Sequence, residues 1–274
     1  MIFTLLLLSF TVSGTIDYDQ SDRAYQDSVK LWTYFHQSNQ HTNLDSAIYY
    51  KDLAMNFAKE LGNQVFLTEA YISEGRFKYF RNLDDLGKAD FEQAKLLAER
   101  IDNNLLAYTA SIELGHYYYF VDSLEKSTSI AFQILEEVID VADTTIIGRC
   151  YNLLGINFLK QEQNDLAFKY FQQYEIYAKG YNKIVARANS ALALIGLERY
   201  PEALALFKKC INKNPGDNVL DLQDNANAYN SISDLFFKMD QYDSAEYYGM
   251  KSYNILSEYG NAYNKDFVSR SIYC

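Results

Sequence analysis

The sequence predicts an all-α fold that is built from a repeated pair of helices. Glycine recurs with a period of 40 residues, at Gly75, Gly115 and Gly155, and a fixed period of this size indicates a repeat protein. The composition agrees, because the 274 residues include only 2 proline and 12 glycine, while 49% of them are hydrophobic. Long helices joined by short turns fit these values better than disordered or loop-rich β classes.

A second series of small residues shows how many helices each unit contains. Its members are Ala47, Gly87, Ser127 and Ala167, followed by Ala203 and Ala245. Two registers that share one period imply two helices in each unit. Small side chains are required where the two helices of a pair cross closely, because a larger side chain would push them apart.

Two stretches carry a resemblance to a known family. YNLLGINFLKQEQNDLAFKYFQQ and SALALIGLERYPEALALFKKCINKNP resemble tetratricopeptide repeats, in which a large residue, Leu-Gly and an aromatic are followed by Ala, an aromatic, Ala and Pro. Six units can be marked, with first helices predicted to begin near Val29, Thr68, Tyr108, Gly148, Ile184 and Ala226. The resemblance implies a right-handed α-solenoid of about six antiparallel helix pairs. We expect a single domain of this type over residues 21–274, with a C-terminal capping helix from Ala262 to Ile272.

The first residues differ from the rest of the chain. Ile2 to Val12 is almost wholly apolar and carries no charge, and Ser13-Gly14 follows it, as in a secretory signal peptide. The segment is shorter than the roughly 20 apolar residues that span a bilayer. We therefore expect residues 1–14 to be a signal peptide and the protein to be exported, to the periplasm or cell envelope. The alternative is a buried first helix in a cytoplasmic protein.

The sequence lacks the patterns that are typical of nucleic-acid binding, phosphate binding and metal binding. The net charge of -11 and the absence of a Lys/Arg run argue against nucleic acid. The glycines never form a phosphate-binding loop, and the three histidines form no metal-binding pair. We predict no catalytic residue, no metal and no cofactor. Cys150 and Cys210 have the context of small buried side chains, and a bridge between them stays open for an exported protein.

The resemblance also implies a binding surface. In tetratricopeptide proteins the first helices line a concave groove, and the matching positions here are Trp32, His36, Glu69, Arg76, Tyr79, His116, Tyr119, Arg149, Asn152, Asn230 and Asp234. The fifth unit contributes an apolar floor of Val185, Ala188, Leu192 and Ile195. Aromatic residues mixed with arginine suit a protein or peptide partner.

Each groove position has a structural alternative. Tyr79 and Tyr119 also suit packing between helices, and Trp32 suits the core. Arg76 and Arg149 are the stronger candidates, because an arginine on this face of an acidic protein has few structural reasons to exist.

The functional expectation is a non-catalytic scaffold that binds a protein or peptide, exported or envelope-associated, and serving as the sensory part of a larger regulator. The alternative is a cytosolic peptide-pheromone receptor or response-regulator-binding signalling protein, which needs no leader. An enzyme with an unrecognised site is a third class, because a fold does not by itself decide function.

Overall fold

The computed structural model describes residues 26–31, 33–35, 37, 44–80, 87–138, 143–212 and 219–259. These residues form α-helices and short connections, with no β-strand among them, as the all-α prediction requires. The helices with described bounds are α1 (Leu44–Leu61), α2 (Gln64–Phe80), α3 (Lys88–Arg100), α4 (Asn104–Phe120), α5 (Leu124–Val138), α6 (Thr144–Lys160), α7 (Asn164–Tyr177), α8 (Tyr181–Gly196), α9 (Tyr200–Cys210), α10 (Val219–Lys238) and α11 (Tyr242–Tyr259). The predicted leader and capping helix lie outside the described residues.

The chain divides into two compact units, one that ends at Ala70 and one that begins at Tyr71. In the first unit, α1 buries Ala47, Ala54 and Ala58 completely. The second unit contains the end of α2 and all later helices. A single domain over residues 21–274 stays a prediction.

The second unit consists of helix pairs. α4 packs on α5, α6 on α7, α8 on α9 and α10 on α11, and the first helices α4, α6 and α8 also contact one another in order. The repeated pair that the glycine period predicted is therefore present.

The first helices begin earlier than the sequence pattern predicted, by about one turn for α2, α4, α6 and α8 and by seven residues for α10. α4 begins at Asn104 and α6 at Thr144, four residues before the predicted starts at Tyr108 and Gly148. Asn103 caps α4 by accepting a hydrogen bond from the Leu106 amide at 3.1 Å, and Asp143 caps α6 through the amides of Thr145 and Ile146. The family pattern marks the first large residue, whereas the helix begins at its cap. An added turn helps to explain why the unit exceeds the usual length of about 34 residues.

The turn from a first to a second helix has a constant geometry. After α6, the Gln163 amide donates to the Phe158 carbonyl at 2.9 Å and the Glu162 amide to the Leu159 carbonyl at 3.0 Å, which is the Schellman pattern. Glu162 has a φ of 59°, and the equivalent residues after α4, α8 and α10 share this left-handed conformation: Asp122, Glu198 and Asp240. A non-glycine residue in this conformation costs about 1 kcal/mol, which the two carbonyl bonds offset. One turn geometry thus joins the pairs α4–α5, α6–α7, α8–α9 and α10–α11.

Two of the predicted glycines let an aromatic ring approach the helix backbone. A Cβ on Gly75 would lie 2.5 Å from the ring of Phe91, and a Cβ on Gly155 would overlap the ring of Phe171. Both rings are fully buried. The glycines therefore allow each first helix to contact its second helix at van der Waals distance.

In the third unit, a different side chain packs against the glycine of the first helix. Ala131 occupies the position that corresponds to the buried phenylalanines, and the Leu153 side chain from α6 packs against Gly115 instead. The Ser127 hydroxyl donates to the Gly115 carbonyl at 2.7 Å and ties α5 to α4. The third unit therefore keeps both helices, α4 and α5, with a rearranged contact between them.

Substituting Gly155→Ala should lower the free energy of unfolding by about 1–3 kcal/mol, because the new methyl group overpacks against the Phe171 ring. Gly249→Ala is the matched control: its Cβ would meet the Ser233 side chain alone, with Oγ at 3.2 Å and Cβ at 3.9 Å, and alanine favours the helix by about 1 kcal/mol. Urea unfolding followed by circular dichroism measures both. Equal stability of the Gly155→Ala variant and the natural chain would contradict the close contact.

Candidate partner-binding face

The α4 helix is buried along most of its circumference. Residues 110–115 are all buried, because α4 is packed against α3, α5 and α6. A helix in this position is expected to be apolar on every side, yet it carries Glu113 with a side chain only 11% exposed. A buried carboxylate requires charged or hydrogen-bonding partners.

Two arginines supply these partners from neighbouring first helices. Arg76 of α2 donates from Nε to Glu113 Oε1 at 3.0 Å and from Nη2 to the same oxygen at 2.5 Å. Arg149 of α6 donates from Nη2 to Oε1 at 2.5 Å. We call Arg76, Glu113 and Arg149 the charged cluster. It links three first helices within the second unit and combines two positive charges with one negative charge.

The charged cluster shifts the pKa of its members and of an adjacent histidine. Burial opposes ionisation of Glu113, but the Arg76 and Arg149 guanidinium groups overcome this and hold its pKa below the ordinary value. Burial lowers the pKa of His116, and the two arginines lower it further against the opposing effect of Glu113. At neutral pH, therefore, Glu113 is ionised and His116 is uncharged.

Aromatic side chains lie beside the charged cluster. Tyr79 packs edge-on against Phe120 with ring centroids 5.6 Å apart, and burial, Tyr119 and Glu113 raise the Tyr79 pKa. Lys160 lies 4.8 Å from the Tyr119 ring centroid and donates to the Tyr119 carbonyl at 3.0 Å. We define the first-helix face by Arg76, Tyr79, His116, Tyr119 and Arg149. The structure thus brings together five of the predicted groove residues.

Polar pairs continue along the later first helices. Asn189 of α8 donates from Nδ2 to Asn152 Oδ1 of α6 at 3.1 Å. On α10, Asn230 and Asp234 face each other at 3.5 Å, and burial raises the Asp234 pKa. Asn152 therefore has a partner on the next repeat, whereas Asn230 and Asp234 form a pair within one helix.

The remaining predicted positions have different environments. Glu69 belongs to the first unit, and burial raises its pKa to about 7, so that this carboxyl is partly protonated at neutral pH. Trp32 and His36 lie outside the described residues. Of the predicted apolar floor, Leu192 is 44% exposed, whereas Ala188 and Ile195 pack against the core.

Glu113 and Asn189 were not among the residues predicted from the sequence. Both were accessible from spacing, since Glu113 follows Arg76 by 37 residues and Asn189 follows Asn152 by 37. Equivalent sites on adjacent first helices are separated by about one repeat in the sequence, so side chains with that separation are expected to come into contact.

The two cysteines with described positions are free and buried, as the interpretation of small core side chains expected. Burial raises the pKa of Cys150 to about 12 and that of Cys210 to about 11. Both thiols are therefore protonated at neutral pH.

Metal-binding clusters and membrane-spanning helices are both absent from the part of the chain that the structure describes. Within it, no group of three or more His, Cys, Asp or Glu side chains is placed to hold a metal ion. None of its helices combines the length and apolar character that crossing a membrane requires.

Substituting Glu113→Gln should lower the free energy of unfolding at pH 7 by about 3 kcal/mol, because two guanidinium groups lose a buried counter-charge. This is the lower end of the usual range, since Arg76 is 41% exposed. The Glu113 pKa is depressed in the folded state, so its contribution is complete above the ordinary pKa and disappears as the pH falls through the folded value.

The stability difference between the natural chain and the Glu113→Gln variant should therefore be largest at neutral pH and shrink in acid. Urea unfolding at a series of pH values measures it. Glu175→Gln is the control, since it breaks the more exposed Arg187–Glu175 pair and should cost about 1 kcal/mol or less. A Glu113→Gln variant as stable as the natural chain at pH 7 would contradict the charged cluster.

Comparison with known proteins places the fold. No protein-family model and no curated protein matches the sequence. Solved structures do match. The STAND protein with a tetratricopeptide repeat sensor from Pyrococcus horikoshii has a TM-score of 0.61 and 13% identity over 89% of this chain, which spans 39% of that protein.

Two other structures give similar values. RapI in its apo form has a TM-score of 0.58 and 16% identity, with coverage of 90% of this chain and 68% of RapI. PilF of Pseudomonas aeruginosa has a TM-score of 0.51 and 15% identity, with coverage of 90% and 98%. This chain therefore has the all-α helical repeat fold of tetratricopeptide proteins.

Proposed function

We propose that this chain is a non-catalytic scaffold that binds an acidic segment of a partner protein or peptide on the first-helix face. The observation that carries the proposal is the convergence of Arg76 and Arg149 on one oxygen of Glu113. The proposal includes no cofactor, metal or nucleic acid.

The charged cluster provides the charge for such a partner. Its two guanidinium groups exceed its single carboxylate by one positive charge, and the neighbouring His116 is uncharged at neutral pH. Among the described residues, none accepts a hydrogen bond from Arg149 Nε or Nη1, so these donors are available to a ligand. A carboxylate of the partner would complete the charge balance through charge-assisted hydrogen bonds.

The fixed position of the arginines favours binding. Glu113 holds both guanidinium groups in one place, so that little side-chain entropy is lost when a partner binds to them. Tyr79 and Tyr119 add apolar surface beside the charge, and Leu192 of α8 is an exposed apolar residue on a later first helix. A ligand with a carboxylate next to apolar side chains matches this arrangement.

A selection from a random peptide library on the immobilised protein tests the proposal. Recovered peptides should be enriched in Asp and Glu relative to the library, and Arg76→Gln should weaken the dissociation constant of a selected peptide at least about tenfold, the loss expected for one charge-assisted hydrogen bond. Arg199→Gln is the control, because Arg199 is exposed, its hydrogen bonds within the described residues go to Glu202, and it lies outside the first-helix face.

Affinity for the selected peptides should also fall as salt rises. Peptides without acidic enrichment, or equal affinity of the Arg76→Gln variant and the natural chain, would overturn the acidic partner. Circular dichroism of each variant checks that its fold is intact.

We further propose that the protein is exported or envelope-associated and serves as the sensory part of a larger regulator. The apolar segment from Ile2 to Val12 supports export, and one structural neighbour carries its tetratricopeptide repeats as a sensor. The alternative is a cytosolic peptide receptor or response-regulator-binding protein.

Intact mass after cell fractionation separates these two locations. Expression with the natural N-terminus should give a mature species outside the cytoplasm that begins near Thr15, since Ser13-Gly14 supplies small residues for cleavage. An uncleaved species in the cytosol would contradict export and favour the alternative.

A further inference from the structure

An open pocket of about 770 Å³ lies among the last four described helices of the second unit. We call it the basic pocket, and its lining residues are Arg187, Lys208, Lys209, Ile211, Tyr229, Tyr248 and Lys251. They come from α8, from α9 and the residue after it, from α10 and from α11. The pocket is separate from the charged cluster, with which it shares no residue.

The lining is basic in a chain whose net charge is -11. It contains four cationic side chains, and no Asp or Glu occurs among its described lining residues. Arg187 has a carboxylate partner outside the lining, since its Nε donates to Glu175 Oε1 at 2.7 Å. The described residues provide no such partner for Lys208 or Lys209.

Lys251 is held by aromatic rings instead of a carboxylate. Its ammonium group lies 4.6 Å from the ring centroid of Tyr247, 5.3 Å from that of Tyr229 and 5.8 Å from that of Tyr248. Cation–π contacts fix the position of a lysine without neutralising it. The pocket therefore keeps the positive charge of Lys251 at a defined place.

The preference for cations at helix C-termini explains two of the four cationic side chains in the basic pocket. Lys208 and Lys209 lie in the last turn of α9, where cations are favoured by the helix dipole. Arg187 and Lys251 come from other helices, and no such local effect brings them to the same pocket. Like charges that converge repel one another, so a bound anion would stabilise the arrangement.

We propose that the basic pocket binds a small multivalent anion of the polyphosphate or polycarboxylate class. The volume favours a small molecule, because ligand pockets for such molecules occupy roughly 300–1,000 Å³. Several cations around one space favour a ligand with more than one negative charge. The Tyr229 and Tyr248 rings form the apolar part of the wall.

Isothermal titration calorimetry at constant ionic strength tests the proposal, with tripolyphosphate, pyrophosphate and citrate as separate probes. At least one probe should bind the natural chain saturably with one site. Tripolyphosphate or pyrophosphate binding without citrate binding assigns the polyphosphate class, the reverse assigns the polycarboxylate class, and binding of both assigns multivalent anions in general.

The double variant Lys208→Gln/Lys209→Gln should weaken binding at least about tenfold, and Lys251→Gln should weaken it independently. The control Lys59→Gln/Lys169→Gln removes two exposed lysines outside the pocket and should leave affinity unchanged. Lys208 and Lys209 are exposed, so the double variant should fold normally, as circular dichroism would check. No saturable binding of any probe, or an equal loss in the control, would overturn the proposal.

Discussion

The close approach of paired helices is the constraint on which the rest of this structure depends. Gly75 and Gly155 leave no room for a Cβ beside the rings of Phe91 and Phe171, so each first helix has one closely defined position on its second helix. In the four pairs from α4 to α11, a constant Schellman turn joins the two helices. Because the pairs repeat, first helices lie side by side, and side chains 36 or 37 residues apart meet across them. The charged cluster and the Asn152–Asn189 pair both follow from this spacing.

Glu113 fixes the positions of two arginines on the face that the packed first helices form. Desolvation of a carboxylate costs several kcal/mol unless partners compensate it, and here two guanidinium groups from different repeats do so. The same bonds hold the arginines in place while one positive charge remains in excess. The basic pocket differs in kind, because Lys251 contacts aromatic rings and Lys208 and Lys209 lie in the last turn of a helix, without a carboxylate partner among the described residues. An acidic protein thus keeps two separate regions of positive charge.

The sequence was sufficient to predict the repeats because their signals are local. The glycine period and the small-residue series each reflect one helix crossing, and Ala167 and Ala203 are indeed fully buried. The predicted helix starts lie C-terminal to the observed ones. The family pattern marks the first large residue, whereas the helix begins after a capping residue such as Asn103. Arg76 and Arg149 were predicted, but Glu113 was not: it lies within a buried stretch, and the signal for it is its spacing of 37 residues from Arg76. The basic pocket combines residues from four helices. It could not be predicted from a local sequence motif, because these residues are far apart in the sequence.

A double-mutant cycle between Glu113→Gln and Arg149→Gln tests the central claim most directly. Urea unfolding of the natural chain, both single variants and the double variant at pH 7 gives the interaction free energy of the two side chains. A shared buried ion pair predicts a coupling of about 1–3 kcal/mol, with the double variant less destabilised than the sum of the single effects. Additivity within about 0.5 kcal/mol would contradict the charged cluster and, with it, the surface on which the proposed function rests.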